Sequence, residues 1–154
     1  MQRFLLDTNM LLGFTRCAAW AKEAYESHNL GSRENLVFTS VICSGEILAL
    51  AERNGWGEGK RDALEKVLND FSTVGINQPQ IISAYARIHA WTHGKQIAGC
   101  PADPPRPAIS MKQNDIWIAA VTHVSRALLL TTDKDFDHLN GVWLTRILVD
   151  QHRS

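Results

Sequence analysis

Several acidic residues in this chain stand where apolar neighbours make an unpaired charge costly. Asp7 closes the run RFLLD, Glu46 lies within VICSGEILAL, Asp115 precedes IWIAA, and Asp133 follows ALLLTT with Asp135 and Asp137 close behind. Each has a plain structural reading. Asp7 can cap a helix by accepting an orphan backbone N–H, Glu46 can reach water from a helix surface, and Asp115 suits the positive end of a helix dipole. Together they permit other chemistry. Carboxylates directed into one crevice repel one another unless a cation holds them, and an all-oxygen donor set without His or Cys selects Mg²⁺ or Mn²⁺. One or two such ions activate water and neutralise charge on a scissile phosphate, so the set suits phosphodiester hydrolysis.

That chemistry requires elements that bring residues 7, 46, 115 and 133 together. RFLLD (3–7) reads as a short strand buried on both faces, and LVFTS (36–40) as a second. FSTVGI, ALLLTT and VWLTRIL read as three more. Between them the spacing predicts helices over 18–28, from Val41 to about Asn54 with Ser40 as N-cap, and over KRDALEKVLNDF. Further helices are predicted from Pro79 and through NDIWIAAVTHVS, with a helical turn at DKDFDHL. Strands alternating with helices imply a mostly parallel sheet of about five strands covered on both faces. In such a sheet ligands bind beyond the carboxyl ends of the strands, where Asp7 and Asp133 fall. On the helix after the second strand, Ile42, Gly45 and Ala49 share a small or apolar stripe with Glu46, which directs the glutamate towards the sheet. Asp115 opens a similar stripe with Ile118, Ala119 and Thr122, its helix end capped by Gln113 or Asn114.

Bulk properties fit one unit over residues 1–150. The chain has 154 residues, 45% of them hydrophobic, and sixteen basic residues balance sixteen acidic ones. This is enough for one full core, and the balance excludes a strongly basic protein that coats nucleic acid. Cys17, Cys43 and Cys100 form no C-x-x-C pair, and Cys43 reads as a small buried hydrophobe. Their sparse use suits a reducing compartment. No apolar run reaches the length of a membrane span, and the N-terminus lacks the pattern of a signal peptide. A soluble, cytoplasmic protein is expected.

The four acidic segments, in this order, resemble the motifs of PIN-domain ribonucleases, and most closely VapC-type toxins. LLDTNMLL resembles the first motif, with Asp7 as its acid and Thr8–Asn9 following. TSVICSGEILAL resembles the second through Glu46, QNDIWIAAV the third through Asp115, and LLLTTDKDFDHL the fourth. The fourth offers either Asp133 or Asp135 as its acid. Asp133 lies nearer the strand end, with Asp135 as an outer support.

The resemblance implies a three-layer α/β/α sandwich and Mg²⁺- or Mn²⁺-dependent cleavage of RNA by Asp7, Glu46, Asp115 and Asp133. It also implies a homodimer and a small antitoxin whose C-terminal segment covers the site. A PIN nuclease outside any toxin–antitoxin pair, or a PIN fold that only binds RNA or protein, are the alternatives. Residues 94–110 are expected to form an irregular loop with a functional or partner-contacting role, and within them the proline-rich segment 99–108 departs from the family's pattern, with an expected bearing on substrate access or dimer packing.

Other residues invite weaker readings. His89 and His93 share a helix face but lack a third ligand for zinc. Trp117 and Trp143 lie in core-like runs, whereas Trp56, flanked by glycines, is the candidate for base stacking or partner contact. Arg16, Lys112, Arg126 and Lys134 are the basic residues that could approach a substrate phosphate.

Overall fold

The structure, a computed structural model, describes residues 1–152. Its centre is a five-stranded, all-parallel sheet in the order β3-β2-β1-β4-β5, built from β1 (Arg3–Leu6), β2 (Leu36–Ser40), β3 (Ser72–Val74), β4 (Leu128–Thr131) and β5 (Thr145–Leu148). β1 is hydrogen-bonded on both sides, pairing Leu6 with Thr39 of β2 and with Leu130 of β4. That position explains its uninterrupted apolar run, since Phe4, Leu5 and Leu6 are all buried.

The chain moves outward from β1 to β3, then returns past β1 to β4. The switch point therefore lies between β1 and β4, where a crevice opens at the strands' carboxyl ends. Helices α1 (Thr8–Thr15), α2 (Ala19–Ser27), α3 (Val41–Arg53) and α4 (Glu58–Asp70) occupy the first two crossovers, and α1 packs against the other three. Helices α5 (Pro79–Thr92) and α6 (Gln113–Ser125) form the third crossover and pack on each other. With right-handed connections the two groups cover opposite faces of the sheet. This is the three-layer α/β/α arrangement expected from the strand–helix alternation.

Local chemistry accounts for most boundaries. The Ser40 hydroxyl accepts from the Ile42 N–H (3.1 Å) and starts α3, while Pro79 occupies the first turn of α5. α1 is a helix that periodicity alone did not announce. It begins directly after β1, with Asp7 as its N-cap, and its Met10 and Leu11 are buried. The last strand is shorter than VWLTRIL because residues 139–144 close on themselves. The Trp143 N–H donates to Leu139 O (3.0 Å) and the Gly141 N–H to Leu144 O (2.8 Å).

The proline-rich segment forms no helix or strand, as expected, yet it is tied to α5. Arg87 donates to Ala98 O (2.9 Å), Trp91 Nε1 to Ala102 O (3.3 Å), and the Ile109 N–H to Thr92 O (2.9 Å). No helix among the described residues is long and apolar enough to cross a membrane.

Candidate metal centre

The crevice at the β1/β4 switch point gathers acids from four parts of the chain. Asp7 stands between β1 and α1, and its carboxylate meets three neighbours. Oδ1 accepts from the Thr8 N–H (2.8 Å), Oδ2 accepts from the Thr131 hydroxyl (2.6 Å), and the Cys43 thiol lies 4.0 Å from Oδ1. The helix-cap reading of Asp7 is thus correct, and it leaves the charge inside the crevice. Glu46 enters from α3, where the Thr8 hydroxyl donates to its Oε1 (2.8 Å). Thr131 also accepts from the Asp133 N–H (3.0 Å), and Asp133 Oδ1 accepts from the Asp135 N–H (2.9 Å), starting the 3-10 helix Lys134–Leu139. Thr131 therefore couples the first acid to the fourth across two neighbouring strands.

Asp115 lies in the first turn of α6 and is buried. Neither Gln113 nor Asn114 caps this helix as expected; Lys112 is the N-cap and supplies no side-chain hydrogen bond. One carboxylate oxygen from each of Asp115, Asp133 and Asp135 falls within 4.8 Å of the others, a spacing that can hold a metal ion. Asp133 and Asp135, alternatives from sequence, thus both reach the cluster. Asp7 and Glu46 flank this trio, their carboxylates fastened by Thr8 and Thr131.

Electrostatics join the two parts. Burial lifts Asp7 to about 6 despite the hydrogen bonds from Thr131 and Thr8, and the charges of Glu46 and Asp133 add to the rise. Burial likewise lifts Asp115 to about 7, helped by Asp7, Asp133, Glu46 and Asp135. Burial and the Asp7 charge push the Cys43 thiol up to about 12, so it stays protonated and inert.

Among the described residues no basic side chain forms an ion pair with Asp7, Glu46, Asp115, Asp133 or Asp135. The donors are all oxygen, and no ion pair offsets their charge among the described residues. The residues present therefore fit a hard divalent cation.

Several sequence expectations need correction. The buried stripe of α3 is Cys43, Ile47 and Ala51; Gly45 is exposed, and Glu46 sits at the edge of that stripe, reaching the crevice through Thr8. Trp56 is not a free stacking surface, since it is buried, with Lys60 Nζ 4.0 Å from its ring centroid and Arg61 donating to its carbonyl (2.9 Å). His89 and His93 stack on each other at 4.3 Å and belong to no metal-compatible cluster among the described residues. Arg126 follows the carboxyl end of α6, at the end of the strands opposite the acids, and Arg16 follows the far end of α1. Only Lys112 and Lys134 of the four basic candidates adjoin the crevice. A cleft of about 630 Å³ near Arg126 and Trp143 lies at the other end of β4 and shares no acid with the site. Trp117 stacks on Tyr85 at 3.9 Å and Trp143 is buried, as expected of packing residues.

Sequence reasoning placed no structural weight on Thr131. Its only signal was a hydroxyl at the end of an apolar strand, two residues before Asp133.

The sequence matches the PIN domain family over residues 4–142. The chain belongs to the PIN-domain family. Among proteins of curated function, comparison gives no match. This PIN domain also resembles solved structures throughout its length. The structure of VapBC2 from Rickettsia felis bound to a promoter DNA fragment contains a chain with TM-score 0.70 and 16% identity, covering 97% of this chain and 100% of that one. VapBC-1 from nontypeable Haemophilus influenzae gives 0.65 and 19%, covering 96% and 98%. FitAcB from Neisseria gonorrhoeae gives 0.64 and 21%, covering 97% and 99%. At such identities the likeness is one of fold, and the PIN fold is the one built above.

Proposed function

We propose that this PIN domain is a divalent-metal-dependent endoribonuclease and the toxin of a toxin–antitoxin pair. One observation carries the reading. Asp115, Asp133 and Asp135 come within metal-holding distance of one another at the sheet's switch point, the charges of Asp7 and Glu46 act on them, and no ion pair offsets the cluster among the described residues. Mg²⁺ or Mn²⁺ would be held by Asp7, Glu46, Asp115 and Asp133, with Asp135 beside them. Such an ion supplies water activation and charge neutralisation at the scissile phosphate.

The protein's own residues do the rest. The Thr8 N–H and the Thr131 hydroxyl favour the charged form of Asp7 against its burial, and the Thr8 hydroxyl fixes Glu46. The start of α6 points its dipole at Asp115, favouring ionisation as the cation arrives. The unit over 1–150 acts in the cytoplasm as a homodimer on RNA.

An antitoxin partner follows from the same electrostatics. An acidic crevice accepts a guanidinium bidentately, so a small antitoxin can silence it with an Arg on its C-terminal segment. The neighbours from Rickettsia felis, Haemophilus influenzae and Neisseria gonorrhoeae support this reading, the first two being VapBC structures.

Purified chain should cleave structured RNA with Mn²⁺, stop in EDTA, and lose activity on Asp115→Asn, while circular dichroism shows the fold unchanged. On this reading expression of the chain alone arrests growth, and co-expression with its cognate antitoxin relieves the arrest. Cleavage that persists in EDTA, or in the Asp115→Asn protein, overturns the metal mechanism. An active chain that is harmless when expressed alone overturns the toxin assignment.

A further inference from the structure

Beside the acids lies a second, smaller feature with different chemistry. A cavity of about 300 Å³ shares Asp115 and Asp135 with the metal centre and is also lined by Met111, Lys112, Lys134 and His138. That volume is at the small end of ligand pockets, the scale of one nucleotide. Its two lysines are exposed, and neither forms an ion pair among the described residues despite the carboxylates nearby. Both are held by the elements that carry the acids: Lys112 is the N-cap of α6 and Lys134 opens the 3-10 helix.

His138 supplies a third observation. Its Nε2 is buried and has no hydrogen-bond partner, an arrangement that is costly unless something outside the free chain completes it. Burial disfavours the charged imidazolium here against the opposing pull of Asp137 and Asp135, and a neutral imidazole has one nitrogen to donate and the other to accept.

A polyanion approaching five carboxylates needs cations besides any ion in the centre. We propose that this cavity is a subsite for the nucleotide adjoining the scissile phosphate of single-stranded RNA. Lys112 and Lys134 hold its phosphate groups, and its base lies against Met111 with its edge at His138 Nε2. An unstacked base is required to enter a cavity of this size, which favours single strands and loops over duplex. The inference rests on the nuclease reading, and its test separates the two.

A short labelled single-stranded RNA is titrated with the full chain by fluorescence anisotropy, with Ca²⁺ in place of Mn²⁺, and the wild type is assayed for cleavage with Mn²⁺ in parallel. Across about 50 to 200 mM salt, Lys112→Ala with Lys134→Ala should reduce the slope of log affinity against log salt by about 1.4, at about 0.7 per phosphate on a single strand. His138→Ala should weaken binding about fivefold at every salt concentration with the slope unchanged, as for one lost hydrogen bond, and His138→Gln should recover part of it. The exposed lysines make the double variant safe for folding. If wild type cleaves and the lysine variant keeps its affinity and slope, the subsite is wrong and the nuclease reading stands. A wild type that neither binds nor cleaves overturns both.

Discussion

Replacing Asp7 by Asn should make the metal-free protein less stable in acid and more stable at neutral pH. Burial lifts Asp7 from 3.8 to about 6 in the folded chain. Below pH 3.8 the carboxyl is protonated in folded and unfolded chains alike, and its stabilising contribution is complete. As pH rises through 6 that contribution is lost, because only the folded state must ionise a buried group beside Glu46 and Asp133. At 1.36 kcal/mol per pH unit the loss is about 3 kcal/mol.

Asn carries no charge, so the variant escapes this loss. Its single carbonyl can accept from Thr8 N–H or the Thr131 hydroxyl but not both, which costs about 1 kcal/mol. The variant should therefore be about 1 kcal/mol less stable near pH 4 and about 2 kcal/mol more stable near pH 8. For a chain this long the second figure raises the melting temperature by about 4–8 °C. Melts in EDTA across this pH range should show the two curves crossing between pH 4 and 6. Mn²⁺ at a hundredfold excess over its Kd should add about 2.7 kcal/mol to wild type and clearly less to the variant. A difference independent of pH, or wild type indifferent to Mn²⁺, would refute the convergent-acid argument.

Thr131→Val should cost about 1–3 kcal/mol by stripping partners from Asp7 Oδ2 and the Asp133 N–H. It should also weaken Mn²⁺ binding about tenfold, measured by calorimetry, because Asp7 ionises less readily without that hydroxyl. Trp56→Ala should cost about 3–5 kcal/mol in urea denaturation, as for other buried aromatics, while leaving RNA affinity unchanged.

The strand–helix alternation is readable because the apolar runs are short, helix starts are marked by Ser40 as a cap and by Pro79 in a first turn, and turn residues separate the runs. α1 is not, since Asp7 both ends β1 and caps the helix, and no linker marks the change from one period to the other. Glu46 was assigned to the crevice from a stripe of small residues. Glycine and alanine fix a helix's phase poorly, and the face that packs is the one bearing Cys43 and Ile47. Trp56 was misjudged because flanking glycines suggest an open loop, whereas the chain after α3 folds back and the Trp56 N–H donates to Ala51 O (3.0 Å). The acids themselves were legible as charges in apolar runs. Their hydroxyl supports were not, since Thr8 and Thr131 acquire meaning only once β1 and β4 lie side by side.

That side-by-side pairing ties residue 7 to residue 131 through a bond spanning 124 positions. The centre therefore depends on the order of synthesis. A nascent chain can form β1, α1 and β2 early, but Asp115, Thr131 and Asp133 emerge much later. At about 5–20 residues per second, roughly 6–25 s separate translation of Asp7 from that of Asp133. Every shorter fragment, whether paused on a ribosome or cut short by a premature stop, lacks the fourth acid and the strand that seats the first. On the nuclease reading proposed above, no competent centre forms until Asp133 and the strand before it have been made.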